Sequence, residues 1–155
     1  MKTILVQMAD TKWTKSAISA ACDLARESGA EIVLARMLSA SFLNWRGMTV
    51  DEYMFTDAEC EDIYAYEEIA RKANVPIRSM IFEYHDLADG LAKAAAAVDA
   101  DKVIAQMPHE TLPIGESLEL KYMERLMAAR RQQLYTVKQP AAKTVGWKPQ
   151  VEAAH

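Results

Sequence analysis

Two segments of the chain share one pattern: a short apolar run, an alanine-rich helix and a second apolar run. The first segment ends in SGAEIVLARM and the second in VDADKVIAQM, so each helix returns into a strand of similar sequence. A strand, a helix and a strand within about 35 residues form a right-handed unit with two parallel strands. Two such units predict an α/β fold, namely a single doubly wound five-stranded parallel sheet with helices on both faces.

The domain organisation follows from where these patterns stop. Apolar runs of strand length lie at 3–8, 31–37, 76–82, 102–107 and 134–137, with amphipathic segments between them. A long connection over 38–51 contains Phe42, Leu43 and Trp45, and we expect it to cover a binding site or an interface. Residues 1–138 therefore form one predicted domain. Residues 139–155 show little periodicity and form a predicted C-terminal tail, either extended or crossing to a partner subunit.

Composition excludes several functional classes. With 155 residues, 51% of them hydrophobic, the chain can bury a core without disulfides or metals. Its net charge of -4 opposes binding to a phosphate backbone, so we expect no nucleic-acid partner. No apolar run approaches the ~20 residues of a membrane span, and the first residues do not resemble a secretory leader. Cys22 and Cys60 lack metal-ligand spacing and are typical of reduced thiols, so we expect a cytoplasmic protein with no membrane partner.

The ligand crevice of a doubly wound sheet lies at the carboxyl ends of its strands. The residues just at or beyond the predicted strand ends are therefore the candidate ligand-binding residues: Asp10, Thr11, Met37, Glu83, His85, Pro108 and His109. We assign no catalytic residue and no metal ligand among them.

The same crevice suggests two more specific chemical hypotheses. His85 and His109 follow predicted strands and have carboxylates beside them, which permits a metal or acid–base cluster. Their spacing matches no ligand motif, so exposed loop histidines are the favoured interpretation. Asp10, Glu83 and Lys138 also suggest a phosphorylated response regulator. That fold needs an acidic pair after the first strand and an Asp after the third, and neither is present.

Two long stretches carry a resemblance to a known family: ILVQMADTKWTKSAISAACDLARESGAEIVLARM and VPIRSMIFEYHDLADGLAKAAAAVDADKVIAQM. In the order and spacing of their elements they resemble the universal stress protein family, over roughly residues 1–138. The resemblance implies a Rossmann-like α/β fold. It also implies that ATP-binding members carry a Gly-x2-Gly-x9-Gly-Ser/Thr motif after the fourth strand, where glycines let backbone N–H groups approach phosphate.

The chain departs from this phosphate-binding motif. Pro108 and Thr111 occupy the first two glycine positions, and the third Gly-Ser/Thr pair falls near Lys121 and Tyr122. The acidic residue that follows the first strand in the family is also displaced, because Ala9 stands there and Asp10 comes one place later. We therefore predict a degenerate nucleotide-binding site.

The predicted function is that of a universal stress protein-like stress-response protein, non-enzymatic and without a cofactor, with weak or absent ATP binding. It would bind a small ligand or a protein partner at the crevice, beneath the Phe42–Trp45 connection. The alternative is an ATP- or AMP-binding member that uses a non-standard phosphate loop with Mg and hydrolyses ATP slowly. The acidic run over 51–68 is either a docking surface for a basic partner or a solvated helix face.

The resemblance also implies a homodimer formed through the fifth strand. This strand is the last and a short one, so we expect it at the sheet edge, where an unpaired strand pairs readily with its twin. The predicted interface residues are Leu134, Tyr135, Thr136 and Val137.

Overall fold

A computed structural model describes residues 2–106, 113–138 and 150–153. Its elements in chain order are β1 (Thr3–Gln7), α1 (Thr11–Ser28), β2 (Glu31–Ser39), α2 (Ala40–Arg46), a 3₁₀ helix (Val50–Glu52), α3 (Asp57–Lys72), β3 (Ile77–Tyr84), α4 (Leu87–Ala97), β4 (Ala100–Ile104), α5 (Pro113–Ala128), β5 (Gln133–Lys138) and β6 (Gln150–Ala153).

The strands form one sheet in the order β3-β2-β1-β4-β5-β6. β1 to β5 are parallel, which confirms the predicted fold class. From β1 the chain first adds β2 and β3 on one side and then crosses over to add β4 and β5 on the other. The boundary between β1 and β4 is therefore the topological switch point, where open α/β sheets bind their ligands.

The core has two layers because the central strands are apolar on both faces. Ile4 and Leu34 face a layer that includes Tyr66 and the buried sides of α1 and α3. Leu5 faces the opposite layer, where Leu91 and neighbouring residues of α4 and α5 pack. Both faces of β1 are thus fully covered, and only the strand ends remain to form a site.

Helix boundaries follow local capping chemistry. The Asp10 carboxylate accepts a hydrogen bond of 3.0 Å from the Trp13 N–H and starts α1, which ends at Gly29 with φ of 70°. Asp86 accepts from the Asp89 N–H at 3.1 Å and starts α4 in the same way. These polar residues stand where the sequence places its helix starts.

Several predicted boundaries were wrong, among them the carboxyl ends of β3 and β4, which lie at Tyr84 and Ile104 instead of at 82 and 107. β2 continues two residues beyond Met37 to Ser39, so Met37 lies inside the strand and is buried instead of facing a crevice. The predicted connection contains helix α2, because Ser39 caps it by accepting from the Phe42 N–H at 3.1 Å and Leu43 buries its side chain. Finally, α5 begins at Pro113, a residue suited to the first turn of a helix, earlier than the predicted start near 117.

The prediction that β5 lies at the sheet edge was also wrong. β6 pairs antiparallel with β5, placing Thr136 opposite Glu152 and Val137 opposite Val151. An uncovered edge leaves a row of backbone groups unpaired, and in this chain part of the predicted tail pairs with them. Leu134 and Val137 are buried within the chain, as expected for a strand with neighbours on both sides.

Candidate functional site

The switch point between β1 and β4 is spanned by a chain of polar contacts. The side-chain carbonyl of Gln7, the last residue of β1, accepts a hydrogen bond of 3.0 Å from the Gln106 N–H. The Gln106 amide then donates to Oδ1 of Asp10 at 2.7 Å. Three side chains from two distant parts of the sequence thus connect the ends of β1 and β4 at the place where this fold class binds ligands.

Asp10 is the central residue of this bridge. While Oδ1 accepts from Gln106, Oδ2 accepts from the Trp13 N–H at the start of α1. Its backbone carbonyl accepts from Thr14 Oγ1 at 2.8 Å, and the same hydroxyl accepts from the Ala9 N–H at 2.9 Å. Asp10 is solvent-exposed, yet both of its carboxylate oxygens are occupied. These hydrogen bonds fix the conformation of the turn between β1 and α1.

Thr11 connects this turn to the neighbouring helix. Its hydroxyl donates to Oδ2 of Asp62 on α3 at 3.2 Å. Deeper in the same helix pair, Tyr66 is fully buried, and its hydroxyl has no hydrogen-bond partner of good geometry within the described residues. Burial raises the pKa of Tyr66, so the hydroxyl stays protonated at neutral pH.

A second polar cluster lies at the carboxyl end of β2. Arg36 Nε donates to Glu59 Oε2 at 2.6 Å, and a second guanidinium nitrogen donates to the Met37 carbonyl at 3.0 Å. The Tyr53 hydroxyl donates to Glu59 Oε1 at 2.5 Å, and the Thr56 N–H donates to the same oxygen at 3.0 Å. The Glu59 carboxylate therefore accepts hydrogen bonds from Arg36, from Tyr53 and from the N-terminus of α3.

The protonation of Glu59 follows from these partners. Burial by itself would raise its pKa, but hydrogen bonds from Tyr53, the Thr56 N–H and Arg36 outweigh burial and lower the pKa below its ordinary value. Glu59 is thus ionised at neutral pH. Its charge is paired with that of Arg36, which is held in place by this contact and by the Met37 carbonyl.

Beside this cluster lies α2, within the connection that was predicted to cover a binding site or an interface. Phe42 is half-buried and meets the Tyr53 ring edge-on at a centroid distance of 6.4 Å, and Tyr53 meets Phe55 at the same distance. Trp45, in contrast, is 80% exposed. The aromatic row holds α2 in position and leaves one large indole in solvent.

The predicted candidate residues do not all meet in one place. Asp10 and Thr11 lie at the switch point. Glu83 and His85 lie at the end of β3, two strands from β1 and so about 10 Å away across the sheet. Pro108 and His109 fall outside the described residues. In the described part of the chain, no group of three or more His, Cys, Asp or Glu side chains is placed to hold a metal ion.

Comparison with solved structures identifies the fold. A universal stress protein in complex with cAMP superposes with a TM-score of 0.63 and 15% identity, covering 90% of this chain and 98% of that one. A universal stress protein family member from Burkholderia pseudomallei gives 0.59 and 16%, covering 89% and 96%. The protein from Archaeoglobus fulgidus in complex with dAMP gives 0.57 and 13%, covering 89% and 98%. This chain has the universal stress protein fold.

At these identities the likeness establishes the universal stress protein fold alone. No protein-family model and no curated protein matches the chain. Function must therefore be argued from its own residues. One further structural finding is that no helix in the described ranges is long and apolar enough to cross a membrane.

Sequence reasoning missed the two glutamines that bridge the switch point of this fold. A signal for them exists, because TILVQM and KVIAQM each place a glutamine directly after an apolar run. Parallel neighbouring strands end at the same sheet edge, so polar residues at matching positions of β1 and β4 come together. The Arg36–Glu59 ion pair left no comparable pattern, because it joins a strand to a helix and no matching strand positions relate its partners.

Proposed function

We propose that this protein is a non-enzymatic, universal stress protein-like stress-response protein with weak or absent ATP binding. It acts by binding a small ligand or a protein partner at the crevice beside α2. The observation that carries this proposal is the 2.7 Å hydrogen bond between Gln106 and Asp10, which joins the ends of β1 and β4 across the switch point.

The physical reason is competition for the same carboxylate. A ribose or base that uses Asp10 shares the carboxylate with an amide donor that already makes a charge-assisted hydrogen bond, so it gains less than it would from a free carboxylate. The other carboxylate oxygen caps α1 and cannot be released without exposing the Trp13 N–H. The sequence also lacks the glycines that would bring backbone N–H groups close to phosphate, and it places Pro108 where one of them would stand.

The direct test is thermal unfolding of the whole chain with and without millimolar Mg-ATP. A ligand present at ten times its Kd stabilises the folded state by about 1.4 kcal/mol. In a chain of this size that corresponds to a rise in Tm of about 3 to 5 °C. We expect no such rise, and no release of inorganic phosphate from ATP. A clear rise with ATP would refute the proposal.

A second candidate function is binding of an adenine nucleotide with a single phosphate. It is supported by the two fold relatives that were crystallised with cAMP and dAMP. Such a ligand makes less demand on a glycine-rich loop, because it carries no β- or γ-phosphate. The ligand would still share Asp10 with Gln106.

Titration calorimetry with AMP distinguishes the two candidates. Gln106→Ala removes the competing amide donor, and Gln133→Ala is the matched control at an exposed glutamine on β5. If the switch point accepts AMP, Gln106→Ala binds AMP more tightly than the wild type and the control binds as the wild type does. If neither the wild type nor Gln106→Ala takes up AMP, the second candidate is wrong.

We further propose a homodimer, and the β5–β6 pairing changes how it must be tested. The Tyr135 carbonyl accepts from the Ala105 N–H at 3.2 Å, so its peptide groups face β4 inside the sheet. Alternation then directs the N–H of Thr136 toward β6. A dimer through β5 requires β6 to be displaced or contributed by the partner. By sedimentation we expect a wild-type dimer and a folded, monomeric Thr136→Pro variant; a monomeric wild type would contradict the dimer.

A further inference from the structure

The sheet has a second edge at β3, which within the described residues has a neighbour on one side only. The Pro76 carbonyl accepts from the Ile32 N–H at 2.8 Å, which fixes the direction of the peptide groups. Because these directions alternate along a strand, Ile77, Ser79 and Ile81 point their N–H and C=O groups away from β2. β3 is 8 residues long, or about 26 Å, and contains no proline. Among the described residues these outward groups have no backbone partner, so β3 is a long strand edge.

A groove runs beside this edge, between β3 and α3. It consists of two adjoining cavities of 460 and 330 Å³, which share Tyr64 and Glu67 in their linings. The apolar part of the lining is formed by Phe55, Ile63, Tyr64, Val75 and Ile77. Ser79 borders the smaller cavity, and its Oγ is buried with no hydrogen-bond partner among the described residues.

The groove lining contains two glutamates, Glu67 and Glu68, and one arginine, Arg71, and the chain that forms α3 is rich in acidic residues. Residues 51–70 include eight Asp and Glu and no Lys or Arg. Glu68 is paired with Arg71 at 2.7 Å, whereas Glu67, which borders both cavities, has no basic partner in the described ranges. A lysine or arginine of a binding partner could lay its aliphatic stem on the apolar lining and bring its charge to Glu67.

The other face of β3 differs from the groove face. Met80 and Phe82 point to the α4 side, where they are partly buried against the second core layer. A strand added beside β3 would therefore meet the groove with Glu67 on one face, and Met80 and Phe82 together with the exposed Arg78 on the other. Residues of alternating character match this pair of surfaces, because successive side chains of a strand point to opposite faces.

The geometry points to a peptide-docking site at the β3 edge: an extended segment of a partner protein, alternately basic and apolar, adds there as a seventh strand with its basic side chains toward α3. This site is separate from the switch point and does not depend on the function proposed for it. A second copy of this chain fits poorly as the occupant, because pairing β3 with its twin would bring two acidic α3 helices side by side.

The test uses a fluorescein-labelled, end-blocked hexapeptide of alternating Lys and Val, with an alternating Glu and Val peptide as its charge control. Fluorescence anisotropy with the full chain should show binding of the Lys-Val peptide, weakened by added salt, and no binding of the Glu-Val peptide. Glu67→Lys should weaken binding at least tenfold. Glu27→Lys makes the same charge change on an exposed residue outside the groove lining and should leave the affinity unchanged.

Backbone pairing is tested separately from charge. Ser79→Pro removes an N–H that points away from β2, so it should abolish binding and keep the β2–β3 pairing intact, as checked by circular dichroism. If that variant does not fold, the same test is made with wild-type protein and a Lys-Val peptide that is N-methylated at alternate residues. Equal affinity for the two peptides, undiminished binding to Glu67→Lys, or undiminished binding of the N-methylated peptide would each overturn the proposal. Dimerisation of wild-type protein that Ser79→Pro abolishes would instead assign the edge to self-pairing and also overturn it.

Discussion

Two buried or half-buried tyrosine hydroxyls have opposite environments, and the same substitution at each should change stability in opposite directions. The Tyr53 hydroxyl donates to the ionised Glu59 at 2.5 Å. The Tyr66 hydroxyl is fully enclosed and has no partner of good geometry within the described residues. Tyr53→Phe and Tyr66→Phe each delete one oxygen and keep the ring, so they compare a satisfied hydroxyl with an unsatisfied one.

The expected magnitudes follow from these environments. A hydrogen bond to a charged group contributes about 1.5 to 3 kcal/mol. Glu59 keeps Arg36 and the Thr56 N–H after the change, and Tyr53 is partly solvated, so we expect Tyr53→Phe to lose about 1.5 kcal/mol. An unsatisfied buried hydroxyl carries a desolvation cost, so Tyr66→Phe should be neutral or up to about 1 kcal/mol more stable.

The assay is urea unfolding followed by circular dichroism at neutral pH, with the slope m compared among the wild type and both variants. Equal slopes mean that a shifted midpoint reports a change in the free energy of unfolding. Should Tyr66→Phe lose more than about 1 kcal/mol, its hydroxyl must be hydrogen-bonded in solution, for instance to the nearby threonines of α1. Should Tyr53→Phe be neutral, the Tyr53–Glu59 hydrogen bond adds nothing to stability, which would contradict the prediction.

Three further predictions test other parts of the fold. The pKa of Glu59 in the folded state lies below its ordinary value of 4.5, so its contribution to stability is complete above that pH and is lost as the pH falls further. Glu59→Gln should therefore destabilise the protein at neutral pH and match the wild type in strong acid. Unfolding measured across pH checks this. Burial raises the pKa of Cys22 to about 11 and Cys60 is exposed, so a thiol reagent should label one cysteine in native protein and two after denaturation. A Cβ at Gly90 would overlap that of Tyr84, so Gly90→Ala should lose about 1 to 3 kcal/mol in urea unfolding despite its better helix propensity, and a gain would contradict this close packing of α4 on β3.

The elements were predictable because their signals are local. Apolar runs, helical periodicity and caps such as Asp86 and Gly29 act within a few residues, and the structure has helices and strands where they indicate them. The predicted boundaries of helices and strands were wrong where burial of side chains competed with these local signals. β2 gained two residues because Leu38 is buried, and α2 formed because Ser39 could cap it and Leu43 could reach the core.

The candidate site was only partly predictable. Asp10 and Thr11 follow the end of β1, and their role in ligand binding stays a prediction. Glu83 lies inside β3 and His85 follows it, and both are too far across the sheet to join them. The order of strands decides which strand ends are neighbours, and a list of strand ends does not contain that order.

The sequence by itself determined the class of this protein: two strand–helix–strand units, apolar on both strand faces, can bury their surface only as a parallel sheet between helices. Tertiary structure alone decided which polar groups were already satisfied. Asp10 meets Gln106 across 96 positions of sequence, and β6 meets β5 across a tail without periodicity. Such contacts depend on where packing places each group in space, so the open or closed state of the switch point and the free edge of β3 emerge only when the whole sheet is assembled.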